Sequence, residues 1–163
     1  FFLPDVSLAK VPPSVVWARD YMKKNVDYLP IIFISTPLII GVTVGMLTIP
    51  KSNIISILPS WIFPLVWTIL YILMGISSYI IYKETNTILK IYLIQLLFNY
   101  TWIFIFFTFK SFLFAFIWII ILIILVFLMI KKFLSINKTS AYLQIPYLIW
   151  LLIASILNLM FII

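Results

Sequence analysis

Cysteine and histidine are both missing from this chain, and it carries only four acidic residues. Without cysteine there are no disulfides, no thiolate nucleophile and no Fe–S ligation. Without histidine the usual neutral-pH base, the commonest metal ligand and the usual axial ligand of haem iron are gone. The lack of cysteine says little about redox compartment, because a membrane helix bundle needs no covalent staples. Charge of either sign is scarce at 9%. No Asp, Glu, Lys or Arg sits well inside any of the long apolar runs. Proton- and ion-coupled transporters keep such residues at membrane depth, and conventional acid–base catalysis needs a positioned titratable group. Both functions lose most of their ground. No internal repeat is visible, which argues against a duplicated transporter.

What the chain does have is apolar surface: 66% of its residues are hydrophobic and its mean hydropathy is +1.28. No soluble domain can bury so much. The runs are long and continuous, so the fold class is an all-α integral membrane protein, a five-transmembrane-helix bundle. Spans are expected at about 29–47, 61–82, 88–109, 112–130 and 141–163, each near the ~20 residues that cross hydrocarbon. Residues 22–163 form one membrane domain. Residues 1–21 contain Pro4, Pro12 and Pro13 and precede Met22-Lys23-Lys24. They are expected to be an appended or clipped extension outside the fold. Lys110-Ser111 is too short for anything but a tight antiparallel hairpin between the third and fourth spans. Lys23, Lys24, Lys83, Lys90, Lys131, Lys132 and Lys138 fall on one side, against Lys51 and Lys110 on the other. The net charge of +7 therefore reads as topological, not as a nucleic-acid footprint. It places the N-terminus in the cytoplasm and the C-terminus outside; the expected location is a bacterial cell membrane.

Three groups of residues could carry function. In the second span Trp61, Pro64, Trp67 and Tyr71 recur at helical spacing, forming either packing or one wall of a pocket for a flat ligand. In the third, Gln95, Asn99 and Trp102 share a face. Amides in hydrocarbon need partners, so that face points into the bundle, as interhelical glue or as ligand contacts. In the fifth, Pro146, Trp150 and Ala154 are spaced by four, with Tyr147 and Asn158 beside them. Pro146 frees a carbonyl one turn back and can kink the helix. Trp118 has no polar companions and reads as packing or lipid contact. Gly41-x-x-x-Gly45 allows close helix approach, within the chain or in a homodimer.

Pro59, Trp61, Pro64-x-x-Trp67, Leu70-Tyr71 and Met74-Gly75 are followed by Gln95, Asn99, Trp102 and Phe106-Phe107. Ala141-x-Leu143, Pro146-Tyr147, Trp150, Ala154 and Leu157-Asn158 come last. That ordered set, over about residues 29–163, resembles the TspO/MBR family of tryptophan-rich sensory proteins and translocator (peripheral benzodiazepine receptor) proteins. The resemblance implies a five-helix bundle, often dimeric, with a pocket opening toward the loop after the first helix. It implies ligands such as protoporphyrin IX and related tetrapyrroles, sterols in some members, and synthetic isoquinoline carboxamides and benzodiazepines. It implies a tetrapyrrole sensor or transporter, with light-dependent porphyrin breakdown in some members. Trp67 and Trp150 match the tryptophans that flank the ligand and are implicated in that breakdown. Tyr71, Gln95, Asn99 and Trp102 match pocket-lining positions, and Pro146 and Tyr147 complete the expected site between the second, third and fifth spans.

The chain departs from the family pattern in its first loop. Asn53-Ile-Ile-Ser-Ile-Leu-Pro59 lacks the Trp-Tyr and Lys-Pro-x-Trp elements, so an altered pocket lid is expected. The C-terminal sterol motif is incomplete, because no basic residue follows Lys138. With neither histidine nor cysteine for iron, a metal-free porphyrin is the expected ligand; no cofactor is required and no metal site is expected. No conventional catalytic residue is in view. The enzyme-like alternative is photo-oxidation, with the bound porphyrin supplying the chemistry and Trp67 and Trp150 placed beside it. The remaining alternative is a partner subunit of a larger membrane complex, with membrane lipid but no ligand of its own.

Overall fold

A computed structural model of the chain describes residues 28–48 and 61–163. The expected extension over residues 1–21 and the expected lid at Asn53–Pro59 lie outside the described residues. Among the described residues all regular structure is helical: α1 (Leu29–Thr48), α2 (Ile62–Thr85), α3 (Lys90–Ile103) continuing through a π-helical turn (Phe104–Thr108), α4 (Phe112–Leu134), α5 (Lys138–Leu143) and α6 (Ile145–Leu159). Five stretches are long and apolar enough to cross a membrane: α1, α2, α3 with its π turn, α4, and α5 with α6.

Hydrocarbon gives the backbone no alternative to helix, since every N–H and C=O must be satisfied within the segment. The few hydroxyls comply by bonding back one turn. Thr36, Thr43 and Thr48 donate to the carbonyls of Ile32, Ile39 and Val44 at 2.7, 2.8 and 2.8 Å. The ends use specific residues. Asn86 adopts a left-handed conformation (φ 54°) and its N–H caps the Tyr82 carbonyl at 2.7 Å, a role asparagine tolerates well. Asn137 caps α5 by accepting the Ser140 N–H at 3.1 Å. That cap starts the fifth span at Lys138, three residues before the expected Ala141, and the span ends at Leu159.

Pro146 acts as expected on its helix. It has no N–H for the Tyr142 carbonyl, and the helix breaks at Gln144, whose N–H instead reaches Ala141 at 3.1 Å. Between the third and fourth spans only residues 109–111 remain outside helix, the tight hairpin that the sequence demands. Lys110 turns it with φ 53°.

α1 packs chiefly on α2, and α4 packs on α3, α5 and α6. The buried stripe of α4 is Ala115, Ile119, Leu122, Val126, Met129 and Phe133. These alternate by four and three residues, the seam spacing of knobs-into-holes packing. The opposite face of α4, including Leu113, Ile117, Ile124 and Leu128, is exposed and belongs against lipid. Lipid is as apolar as leucine, so close packing and interhelical hydrogen bonds, not water exclusion, hold these helices together. Backbone meets backbone most closely at Gly75, where a Cβ would meet Ile34 Cα at 2.5 Å and the Phe33 carbonyl oxygen at 2.7 Å. Pro37 leaves that carbonyl without its helical N–H, and α2 can approach it there because Gly75 has no side chain.

Candidate ligand site

The polar interior is a set of ties between spans. Ser77 and Ser140 exchange hydrogen bonds, each hydroxyl donating to the other's carbonyl at 2.8 Å and so joining α2 to α5. Nearer the start of α2, the Tyr71 hydroxyl donates to Asn99 Oδ1 at 2.9 Å. The amide nitrogen of Asn99 in turn donates to the Tyr147 hydroxyl at 3.0 Å. One side chain from α3 thereby joins α2 and α6. Tyr100 donates to the Pro37 carbonyl at 3.0 Å, tying α3 to α1. With its amide oriented to suit its neighbours, Asn158 donates to the Phe112 carbonyl at 3.1 Å and accepts from the Phe116 N–H at 3.0 Å. Trp118 is a packing residue, stacked on Phe98 at 4.5 Å and donating to its carbonyl at 3.0 Å.

A cavity of about 260 Å³ lies beside this network, between α1, α2 and the C-terminal end of the third span. α1 lines it with Gly41, Val42, Gly45 and Met46. α2 contributes Phe63, Pro64, Trp67, Thr68 and Tyr71, and the third span contributes Ile103 and Phe107. On one wall Gly45 leaves room, while Gly41 accommodates the Tyr71 ring. On the other, the rings of Trp67 and Tyr71 lie 5.4 Å apart at 30°, a nearly continuous aromatic face. The π turn brings Phe107 to the third wall. Ile105, Phe106 and Phe107 are buried in succession along this turn.

The eight residues expected in the site take different places. Trp67 and Tyr71 are on the cavity wall. Asn99 and Tyr147 stand behind it, fully buried and hydrogen-bonded through Tyr71. Gln95 lies one turn further in, fully buried, with both amide atoms unpartnered. Trp102 is buried against Phe106 at 5.3 Å, and its Nε1 has no partner. Trp150 packs edge-on to Phe63 at 5.8 Å, so Phe63 stands between it and the cavity. Pro146 is exposed at the molecular surface, where it shapes the helix, and it does not line this cavity. Trp61 is 62% exposed at the start of α2. The cavity therefore opens on the α1 side of α2, whereas the expected slot between the second, third and fifth spans is crossed by the Asn99 hydrogen bonds.

Sequence reasoning missed the α1 wall, Phe63, Thr68, Ile103 and Phe107 as lining residues. Gly41 and Gly45 carried a signal, since two glycines on one helix face mark close approach or open space. The structure uses both: a Cβ on Gly41 would run into the Tyr71 ring, while Gly45 faces the cavity. Gln144, fully buried at the helix break with both amide atoms unpartnered, also went unmarked.

The chain matches the model of the TspO/MBR family over residues 33–163. It is 34% identical over 106 residues to a Chlorobaculum tepidum protein described as "Tryptophan-rich protein TspO", an alignment covering 61% of this chain and 67% of that one.

Proposed function

Because the chain belongs to the TspO/MBR family of membrane proteins, we propose that it binds a metal-free tetrapyrrole such as protoporphyrin IX at the Trp67–Tyr71 wall, as a sensor or transporter. The observation that carries this reading is the Trp67–Tyr71 aromatic pair on a cavity wall that Gly45 leaves open on the α1 side. A flat conjugated ring gains most from stacking on a surface of that shape, and the facing helix must lack side chains to admit it. The Thr68 hydroxyl offers a polar contact at the edge. At about 260 Å³ the cavity is below the ~300–1,000 Å³ usual for pockets that enclose drug-sized ligands. One edge of a macrocycle would seat against Trp67 while the remainder projects through the mouth. A compact isoquinoline carboxamide would be more fully enclosed.

The same reading places the protein in a bacterial cell membrane, with its N-terminus and the Lys83, Lys90, Lys131, Lys132 and Lys138 end in the cytoplasm. Gly41 is occupied by Tyr71 within the chain, so a homodimer would form through another surface. Light-dependent porphyrin breakdown would act first at Trp67, since Phe63 separates Trp150 from the cavity.

Tryptophan emission titrated with protoporphyrin IX tests the proposal. Quenching is expected in the wild type, with most of it lost in Trp67→Phe and little lost in Trp150→Phe. Equal quenching in wild type and Trp67→Phe would remove the site from this cavity.

A further inference from the structure

The lining of the cavity divides into a closed back and an open rim. Trp67, at 7% exposure, and the fully packed Tyr71 form the back. The rim is Val42 and Met46 on α1, 39% and 72% exposed, with Pro64 also exposed and Thr68 half-buried on α2. Their neighbours on the same outer surfaces are Ile39, Leu65 and Ile69, all exposed. All but Thr68 are apolar, and Thr68 returns its hydroxyl to the Pro64 carbonyl at 2.8 Å; all lie in stretches long and apolar enough to cross a membrane, so the surface they share faces hydrocarbon.

The crossing of α1 and α2 explains why a gap exists there. Toward the inner end the two helices are pinned by Gly75 against the Phe33–Ile34 backbone and by the Phe33 ring on Tyr82 at 5.0 Å and Tyr79 at 5.8 Å. Toward the other end the Tyr71 ring fills the space beside Gly41, while Gly45 lines the cavity together with Trp67 and Thr68 and brings no side chain to fill it. We propose that this gap is a lateral port, through which apolar molecules dissolved in the bilayer reach Trp67 directly from the acyl-chain region. Met46 stands at the rim with an unbranched, flexible side chain that can swing aside. The substrate class follows from the route: molecules that partition into hydrocarbon, flat enough to pass between two helices. As a ligand route it rests on the reading of this cavity as the binding site, while its openness to lipid does not.

Two measurements separate these. In the first, without porphyrin, the protein is reconstituted in lipids brominated along the acyl chain, and each indole's emission is taken as the difference between wild type and a variant. The Trp67→Phe difference is expected to be quenched strongly and the Trp102→Phe difference weakly, with Val42→Phe or Met46→Phe protecting Trp67. Equal quenching of Trp67 and Trp102, or no protection by the rim variants, overturns the port. In the second, protoporphyrin IX association is followed in liposomes at increasing lipid-to-protein ratio. The rate is expected to follow the porphyrin concentration in the membrane phase and to fall several-fold in Val42→Phe and Met46→Phe. Rates that follow aqueous porphyrin and ignore both variants overturn the route. Failure of the wild type to bind porphyrin at all removes the tetrapyrrole reading, and the brominated-lipid result still decides the port.

Discussion

Asn99 shows how much one side chain can organise when no water competes for it. Its amide oxygen and nitrogen are both engaged, by Tyr71 at 2.9 Å and Tyr147 at 3.0 Å. Tyr71 in turn carries the cavity wall. Hydrogen bonds between membrane helices are worth only about 0.6 kcal/mol on average, because unfolded segments find other partners. Tyr71→Phe or Tyr147→Phe loses one such bond and strands one atom of the buried Asn99 amide, at about 1–3 kcal/mol. Asn99→Leu breaks both bonds and strands two buried hydroxyls, at about 1–3 kcal/mol each. Thermal unfolding in detergent should lower the midpoint clearly further for Asn99→Leu than for either tyrosine variant. Equal losses would mean that the amide is not a shared hub. Gln144 is the opposite case. It is buried with neither amide atom bonded, so the near-isosteric Gln144→Leu should raise the midpoint by relieving an unpaid desolvation. A lower midpoint would reveal a partner for that amide in the folded protein. The stripe of Trp67 and Tyr71 and the amide of Asn99 were legible from spacing and polarity alone. Which of them touches a cavity was not, because residue type says that an indole is inside without saying whether Phe63 stands in front of it.

At the scale of elements, apolar length made the five spans readable, and the positions where a helix changes character were harder to see. Pro146 announced its break. The π turn at Phe104–Thr108 had no such marker: no residue type dictates where a ladder widens to the i−5 carbonyl, as in the 3.0 Å bond from the Phe109 N–H to Phe104. Asn137 was readable in principle as a cap but sat in a polar loop where several residues could start the helix. The α1–α2 crossing depends on a single atom's absence. A methyl on Gly75 meets main chain at 2.5 Å, and backbone cannot rotate away as a side-chain tip can. Gly75→Ala should cost about 1–3 kcal/mol, the usual penalty of overpacking. Much of it should appear as loosening of α1, read as faster amide exchange between Leu29 and Thr48. Unchanged exchange there, with unchanged stability, would show that the two helices tolerate a wider spacing than this structure has.

For the whole molecule, polarity is concentrated at its two ends and along one internal seam. Lys83, Lys90, Lys131, Lys132 and Lys138 gather at the end that holds the α2–α3 and α4–α5 connections, while Lys110 marks the other. A membrane potential and an anionic cytoplasmic leaflet both favour keeping the lysine-rich end inside. The consequence is an orientation that can be read without a ligand, because a chain with no cysteine accepts a single one as a unique label. Ser111 and Ser135 are both exposed, in the α3–α4 hairpin and at the end of α4 respectively. They sit at opposite ends of one apolar helix of 23 residues, about 35 Å apart at 1.5 Å per residue. In intact cells a membrane-impermeant maleimide should label Ser111→Cys, and Ser135→Cys only after the membrane is broken. Neither position touches the cavity or a buried hydrogen bond, so folding should not confuse the result. The reverse pattern would invert the bundle, placing the Trp67 end of the cavity toward the cytoplasm and making any ligand taken from the bilayer arrive from the inner leaflet.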